Sequence, residues 1–394
     1  MKPVRIGLVG TRFIAATHMR SFQKMNSASV QVQGAVSGNP ENAKVFAAQY
    51  GLPKSYNSYD DMLKDPDIDV VDICTPNDLH KDMILTAAQA GKHIICEKPL
   101  SGAFGLSSGK EKPGLELPRK LLFDEAVQNA KACVDAVRKA GVGFGYAENY
   151  VYSPPVVKMK RLLQKANGTI FDIRADESHS GSHADYTRTW KRSGGGSLLR
   201  LGAHPVGVAL HLKVWEGRLK QKRPILPVAV MAEIGHHTWM DAFKAEKEKF
   251  IKHAWVDVED WACAIITFED NSKATVFSSD CTLGGVRNKI EVYSSNAVLV
   301  ANINPNDTLQ VFAPQAGLFK DEYIQEKLET DGGWNFPAPD DEWIRGYDGE
   351  LTDFIEAFRE GREPVSNLAL AEDTLKVIYA AYVSAEEGRR IRLK

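Results

Sequence analysis

The first hundred residues repeat one unit: a short, largely apolar run followed by a helical stretch, and two of these stretches end at a glycine. The apolar runs are Val4–Val9, Val30–Val36, Val70–Cys74 (apolar but for Asp72) and His93–Cys96. Between them lie helical stretches at Ile14–Met25, at Pro40–Tyr50 closed by Gly51, and through Ala90 closed by Gly91. A strand without a polar face has to be covered on both sides, and alternating helices supply that cover. The pattern predicts an α/β N-terminal domain built on a parallel sheet.

Residues 101–122 break the rhythm with Ser, Gly and Pro chemistry, which predicts a surface loop inserted into the domain. A helix resumes near Asp124, with Val127, Ala130, Val134 and Val137 on one face, and ends at Gly141. Past about residue 150 the apolar runs follow one another directly: Thr169–Ala175, Pro227–Ile234, Trp261–Phe268, Ala274–Ser279 and Lys289–Tyr293. Asp270-Asn271-Ser272 reads as a hairpin turn. This half is expected to be an α+β domain with a large open, mostly antiparallel sheet, closed by helices at about 350–359 and 369–387. The expected division is 1–148 for the first domain, with its insertion at about 101–122. Residues 149–394 then form a substrate-binding and oligomerisation domain.

A chain of 394 residues is long enough for two cores. Its formal charge of −2, with basic residues dispersed, argues against nucleic acid as a partner. The densest basic group, Arg218–Arg223, reads as a solvated loop. No apolar run approaches the roughly 20 residues of a membrane helix. Met1-Lys2-Pro3 leads straight into the first strand, so no secretory signal is expected. Five cysteines without CxxC spacing read as reduced thiols, in keeping with a cytoplasmic protein.

The turn after the first strand, Gly10-Thr11-Arg12-Phe13-Ile14-Ala15, sits where a Rossmann fingerprint belongs, at the start of a helix whose N–H groups face a pyrophosphate. Arg12 replaces the usual second glycine. The second strand ends in Ser37-Gly38-Asn39, with no Asp or Glu for a ribose 2′-hydroxyl, so a 2′-phosphate is not repelled. NAD(P) is the expected cofactor, with the reading leaning to NADP and Arg12, Ser37 and Asn39 near the discriminating group. NAD held by other groups stays open.

Three further motifs follow in order: Thr75-Pro76-Asn77-Asp78-Leu79-His80, then Glu97-Lys98-Pro99, then Gly194-Gly195-Gly196 through Arg200 to His204. Together with Val258-Glu259-Asp260-Trp261 and Ile290-Glu291-Val292-Tyr293 they resemble the Gfo/Idh/MocA oxidoreductases (glucose–fructose oxidoreductase and inositol dehydrogenase type). The resemblance covers nearly the whole chain. It implies hydride transfer at a secondary carbinol or ketone of a sugar, cyclitol or sugar acid. Lys98 and His204 would be catalytic and would handle the proton. Gly10, Arg12, Phe13, Ile14, Ser37, Asn39, Thr75, Asn77, His80, Glu97 and Lys98 would hold the cofactor.

Arg200 stands where the family usually has aspartate. A guanidinium there is expected either to grip a substrate carboxylate or to pair with a carboxylate such as Glu148. His179, His183 and Trp190 are read as further substrate contacts rather than metal ligands; hydride transfer to nicotinamide requires no metal. The expected partners are a small sugar or sugar acid and further copies of the chain. Two alternatives stay open: a redox-neutral enzyme with tightly held cofactor, and a non-catalytic sugar or dinucleotide sensor.

Overall fold

The computed structural model describes residues 2–27, 29–304 and 308–393. Six parallel strands form the first sheet: β1 (Val4–Val9), β2 (Val30–Val36), β3 (Lys54–Tyr56), β4 (Val70–Ile73), β5 (His93–Glu97) and β6 (Phe144–Ala147), in the order β3-β2-β1-β4-β5-β6. Every residue of β4 and β6 is buried, as the predicted two-sided cover requires. Helix Pro40–Tyr50 shows its sequence logic: Asn39 caps it by accepting from Glu41 N–H, Pro40 starts it, and Gly51 ends it at φ 65°.

The second sheet contains β7 (Ile170–Ser178), β8 (Pro227–Gly235), β9 (Trp261–Phe268), β10 (Lys273–Ser279), β11 (Arg287–Ser294), β12 (Val298–Asn304) and a terminal β15 (Ile391–Arg392). Between them in sequence lie β13 (Val311–Ala313) and β14 (Gly333–Asn335), a separate small hairpin. The order is β12-β11-β7-β10-β9-β8-β15, and all neighbouring pairs are antiparallel except β7 with β10. Helices Ala203–Gln221 and Leu368–Glu387 cover one face. The latter also packs on helix Arg119–Ala140 of the first sheet's layer and so joins the two halves.

Two expectations need correction. The 101–122 segment is not a surface loop throughout: Ser101–Gly105 is buried, and only 106–112 is continuously exposed. Ala103 accepts from Trp190 Nε1 and donates to the Tyr379 hydroxyl, while the following helix begins at Arg119 rather than near Asp124. The basic run at 218–223 is mostly helical, because helix Ala203–Gln221 continues through it. On the open face of the second sheet, Val276 and Val292 are absent, since strand alternation turns both toward the helices. The exposed apolar residues there are Phe171, Met231, Ile265, Phe277, Val298 and Val300.

Candidate active site

The carboxyl ends of the parallel strands open toward the second domain, the position at which α/β sheets bind ligands. At the end of β1, Gly10 has φ +117°, and a Cβ there would lie 2.4 Å from the Cys74 carbonyl oxygen, so the tight turn depends on glycine. Arg12 takes an ordinary extended backbone (φ −100°, ψ −164°) and leads into helix Phe13–Lys24. That helix has no side-chain cap and no acidic residue in its first turn. Its leading N–H groups therefore remain available to an anion, which fits the pyrophosphate of a dinucleotide. Ser37 and Asn39 lie at the end of β2 as expected, but the Asn39 side chain is engaged in capping.

His80 requires a correction. It is fully buried, with Nδ1 2.7 Å from the Pro99 carbonyl and Nε2 2.9 Å from the Thr75 carbonyl. Both nitrogens face backbone carbonyls, and the neutral ring that burial favours donates to one of them, so His80 sits inside the junction of the two strand-end loops with neither nitrogen exposed. Asn77 likewise spans the halves, donating 2.7 Å to the Ser193 carbonyl. Glu97 accepts from its own neighbour Lys98 N–H at 3.0 Å and lies 3.3 Å from His18 Nε2. His18 in turn bonds Asp72 at 2.9 Å and touches Cys74, a buried cluster that sequence spacing did not suggest.

Lys98 and the glycine-rich turn meet across the cleft. Lys98 Nζ donates 2.8 Å to the backbone carbonyl of Arg200. The turn itself is braced by Glu259, which accepts from Gly196 and Leu198 N–H; a Cβ at Gly196 would lie 1.9 Å from the Glu259 carbonyl. Tyr379 and Tyr382 hold it from the C-terminal helix.

Arg200 itself turns away from Lys98. Its guanidinium bonds the buried carboxylate of Asp280 and lies over the Trp255 ring at 5.0 Å. Nη2 of the fork expected for a substrate carboxylate is thus engaged internally, by Asp280 rather than Glu148, while Nε is buried without a hydrogen-bond partner among the described residues. Trp190 is also corrected as a substrate contact: it is fully buried, bonded to Ala103 and covered by Arg119 at 4.4 Å. His179 is buried, accepting from Gly181 N–H and lying 3.6 Å from Asp280, whereas His183 is exposed.

His204 stands between two carboxylates. Its Nδ1 is 2.8 Å from Glu148 Oε1, its Nε2 is 3.8 Å from Glu177 Oε2, and Tyr150 stacks on the ring at 4.3 Å. Burial, with Lys98 and Arg345 adding, pushes the imidazole well below its usual range, so it is neutral near pH 7. Burial raises Glu148 well above the carboxylate range against the pull of Lys98, and raises Glu177 to about 7. Both shifts favour the uncharged pair, in which Glu148 donates to Nδ1 and Nε2 carries the ring hydrogen toward Glu177. Glu148, Glu177, Tyr150 and Asp280 carry no sequence motif. The signal available was position: Glu148 and Glu177 each end or follow a strand that opens on the cleft.

A Rossmann-type sheet that carries Lys98 at its strand ends, against a glycine-rich turn leading to His204 of the second domain, defines a two-domain dinucleotide-dependent oxidoreductase. Residues 4–106 match the model of an oxidoreductase family with an NAD-binding Rossmann fold, and residues 156–300 match the GFO/IDH/MocA C-terminal domain. The chain belongs to the Gfo/Idh/MocA family and is an NAD-binding oxidoreductase. It is 27% identical to levoglucosan dehydrogenase of Pseudarthrobacter phenanthrenivorans over 79% of this chain and 76% of that one. It is 22% identical to myo-inositol 2-dehydrogenase of Thermotoga maritima over 99% of both. Among solved structures, GenD2 from gentamicin A biosynthesis, in complex with NAD, shares the fold with a TM-score of 0.80 at 21% identity, covering 100% of this chain and 97% of that one.

Proposed function

We propose that the chain is a dehydrogenase of sugars, cyclitols or sugar acids that moves hydride between NAD(P) and a secondary carbinol, with Lys98 and His204 binding the carbinol oxygen so that its proton can leave. The observation that carries this reading is that Lys98, after β5, is fixed on the backbone of the turn that leads into His204, while His204 is fixed on Glu148 after β6. Similarity to levoglucosan and myo-inositol dehydrogenases supports the substrate class.

The bound dinucleotide supplies a hydride acceptor in oxidation and a hydride donor in reduction. Lys98, anchored on the Arg200 carbonyl, directs its remaining N–H bonds at the carbinol oxygen and stabilises negative charge developing there. His204, braced by Glu148 and Tyr150, presents Nε2 to the same oxygen. The glycine turn around Gly196 keeps both in register across the cleft.

We propose further that the halves divide near residue 148 and that NADP is the preferred cofactor. Ser37 and the exposed Arg12 support that preference, with no carboxylate at the end of β2. Self-association through the open face of the second sheet is also proposed, on its exposed apolar residues. No helix is long and apolar enough to cross a membrane among the described residues. The test is a thermal-shift comparison of NAD and NADP, then a panel of levoglucosan, myo-inositol, neutral sugars and uronates followed by reduced-nicotinamide absorbance. A chain that binds dinucleotide but turns over none of them contradicts the proposed substrate class.

A further inference from the structure

The family pattern puts a carboxylate at position 200, beside the lysine; this chain has Arg200, whose side chain is held by Asp280. A secondary carbinol still has to lose a proton as its hydride departs. The carboxylates around the cleft differ in what they are already doing. Asp280 is bonded to Arg200, Glu97 accepts from Lys98 N–H and lies 3.3 Å from His18 Nε2, and Glu148 lies behind the imidazole on the Nδ1 side. Glu148 Oε2, Asp280 Oδ1 and Glu177 Oε2 are all buried without a hydrogen-bond partner among the described residues, but of these carboxylates only Glu177 lies on the Nε2 side.

Its surroundings point the same way. Glu177 is the cross-strand neighbour of Ser278 on β10 and of Asn288 on β11, and Asn288 pairs in turn with Asn304 on β12. These four side chains form a buried polar row over adjacent strands at one end of the helix-covered face. Ser278 Oγ, both amide atoms of Asn288 and Asn304 Nδ2 also have no partner among the described residues. A buried polar atom left unpaired costs on the order of 1–3 kcal/mol, so such a row suits a ligand rich in hydroxyl groups.

We propose that Glu177 takes the proton of the reacting carbinol in this chain, standing in for the carboxylate that position 200 lacks. The proposal rests on the dehydrogenase reading above. The 3.8 Å separation of His204 Nε2 and Glu177 Oε2 is too long for a direct hydrogen bond. An oxygen lying off the line between them reaches both at about 2.8 Å. In the oxidative direction the carbinol C–H bond breaks with its electron pair leaving as hydride to the dinucleotide. The O–H bond breaks with its proton passing to Glu177 Oε2, and the oxygen's electron pair closes the carbonyl. The carbinol is oxidised, the dinucleotide is reduced, and Glu177 then releases its proton to solvent. His204 Nε2–H and Lys98 hold the oxygen throughout.

Groups facing Glu177 are Lys98 from the loop after β5, His204 from helix Ala203–Gln221 and Tyr150 from the turn after β6. Arg345 at the end of helix Asp341–Arg345, Glu326, and Glu148 after β6 also face it. Burial dominates them and holds the carboxyl near about 7, where it can both take and give a proton.

The test uses the full chain and its Glu177→Gln and Glu177→Asp variants. Infrared titration of wild type minus Glu177→Gln should show a protonated-carboxyl band that vanishes as pH rises through about 7. Absence of that band overturns the proposal whatever the substrate. With any sugar or cyclitol of the panel that is turned over, wild-type kcat/KM for oxidation should rise through the same pH. Glu177→Gln should lose about a hundredfold and that rise, while Glu177→Asp recovers part of the rate and keeps the rise. NADH affinity, read by fluorescence, should stay within a few-fold in both variants. A Gln variant with wild-type rate and pH profile overturns the role of Glu177. If no panel compound is turned over, the substrate reading fails and the infrared titration still decides Glu177.

Discussion

The Lys98 ammonium is held by the backbone carbonyl of Arg200, at 2.8 Å, and not by the side chain at that position. Every amino acid offers that carbonyl. The exchange of the family's aspartate for arginine therefore leaves the lysine anchored, and the carboxylate chemistry is displaced to residues on neighbouring strands.

Lys98→Met should abolish hydride transfer while leaving dinucleotide affinity within a few-fold. The side chain meets the far wall of the cleft, not the turn at Gly10 where the pyrophosphate fits. Steady-state rates with fluorescence titration of NADH check this. Turnover near the wild-type level would remove Lys98 from the catalytic set.

Asp280→Ala should leave the Arg200 guanidinium buried and unpaired, lowering stability by about 3–5 kcal/mol. Arg200→Gln should also destabilise, but should not change the ratio of kcat/KM between a uronate and its neutral analogue, because the guanidinium faces Asp280. Denaturant midpoints and paired kinetics separate the two effects. A collapse of uronate preference in Arg200→Gln would show that the pair opens to substrate.

Glu177 also gives stability a pH dependence. Its folded value of about 7 lies above the ordinary 4.5, so the folded chain holds the extra proton. The resulting stability is fully present below about 4.5 and is lost as pH rises through about 7. Relative to Glu177→Gln, the wild type should lose about 3 kcal/mol between about pH 4 and pH 8. Urea unfolding at both pH values checks it, and a constant difference would place the carboxyl at its ordinary value.

Ser37→Asp should raise the Kd for NADP at least about tenfold while NAD stays within a few-fold. A carboxylate at the end of β2 would repel a 2′-phosphate and could accept from a 2′-hydroxyl. Equal shifts for both dinucleotides in calorimetry would place position 37 away from the ribose.

Phe277 and Ile265 are both about 40% exposed on the open sheet face, on neighbouring strands. The double change Phe277→Asp and Ile265→Asp should convert an oligomer to monomer by light scattering. A wild-type monomer at micromolar concentration would refute self-association at this face.

The local sequence determined most of the first domain. Apolar runs bounded by Gly51, Gly91 and Gly141 specify strands and helices because burial and chain reversal act over a few residues. Lys98, His204 and the turn at Gly10 were legible for the same reason: each sits in a motif whose spacing is local. The fate of Arg200, the bracket of Glu148 and Glu177 around His204, and the burial of His80 and Trp190 were decided only by tertiary structure. Those outcomes depend on which strands become neighbours. Asp280 lies 80 residues from Arg200, and Glu148 lies 56 residues from His204. Proton affinities followed the same rule, since burial is set by the packing of distant elements against one another.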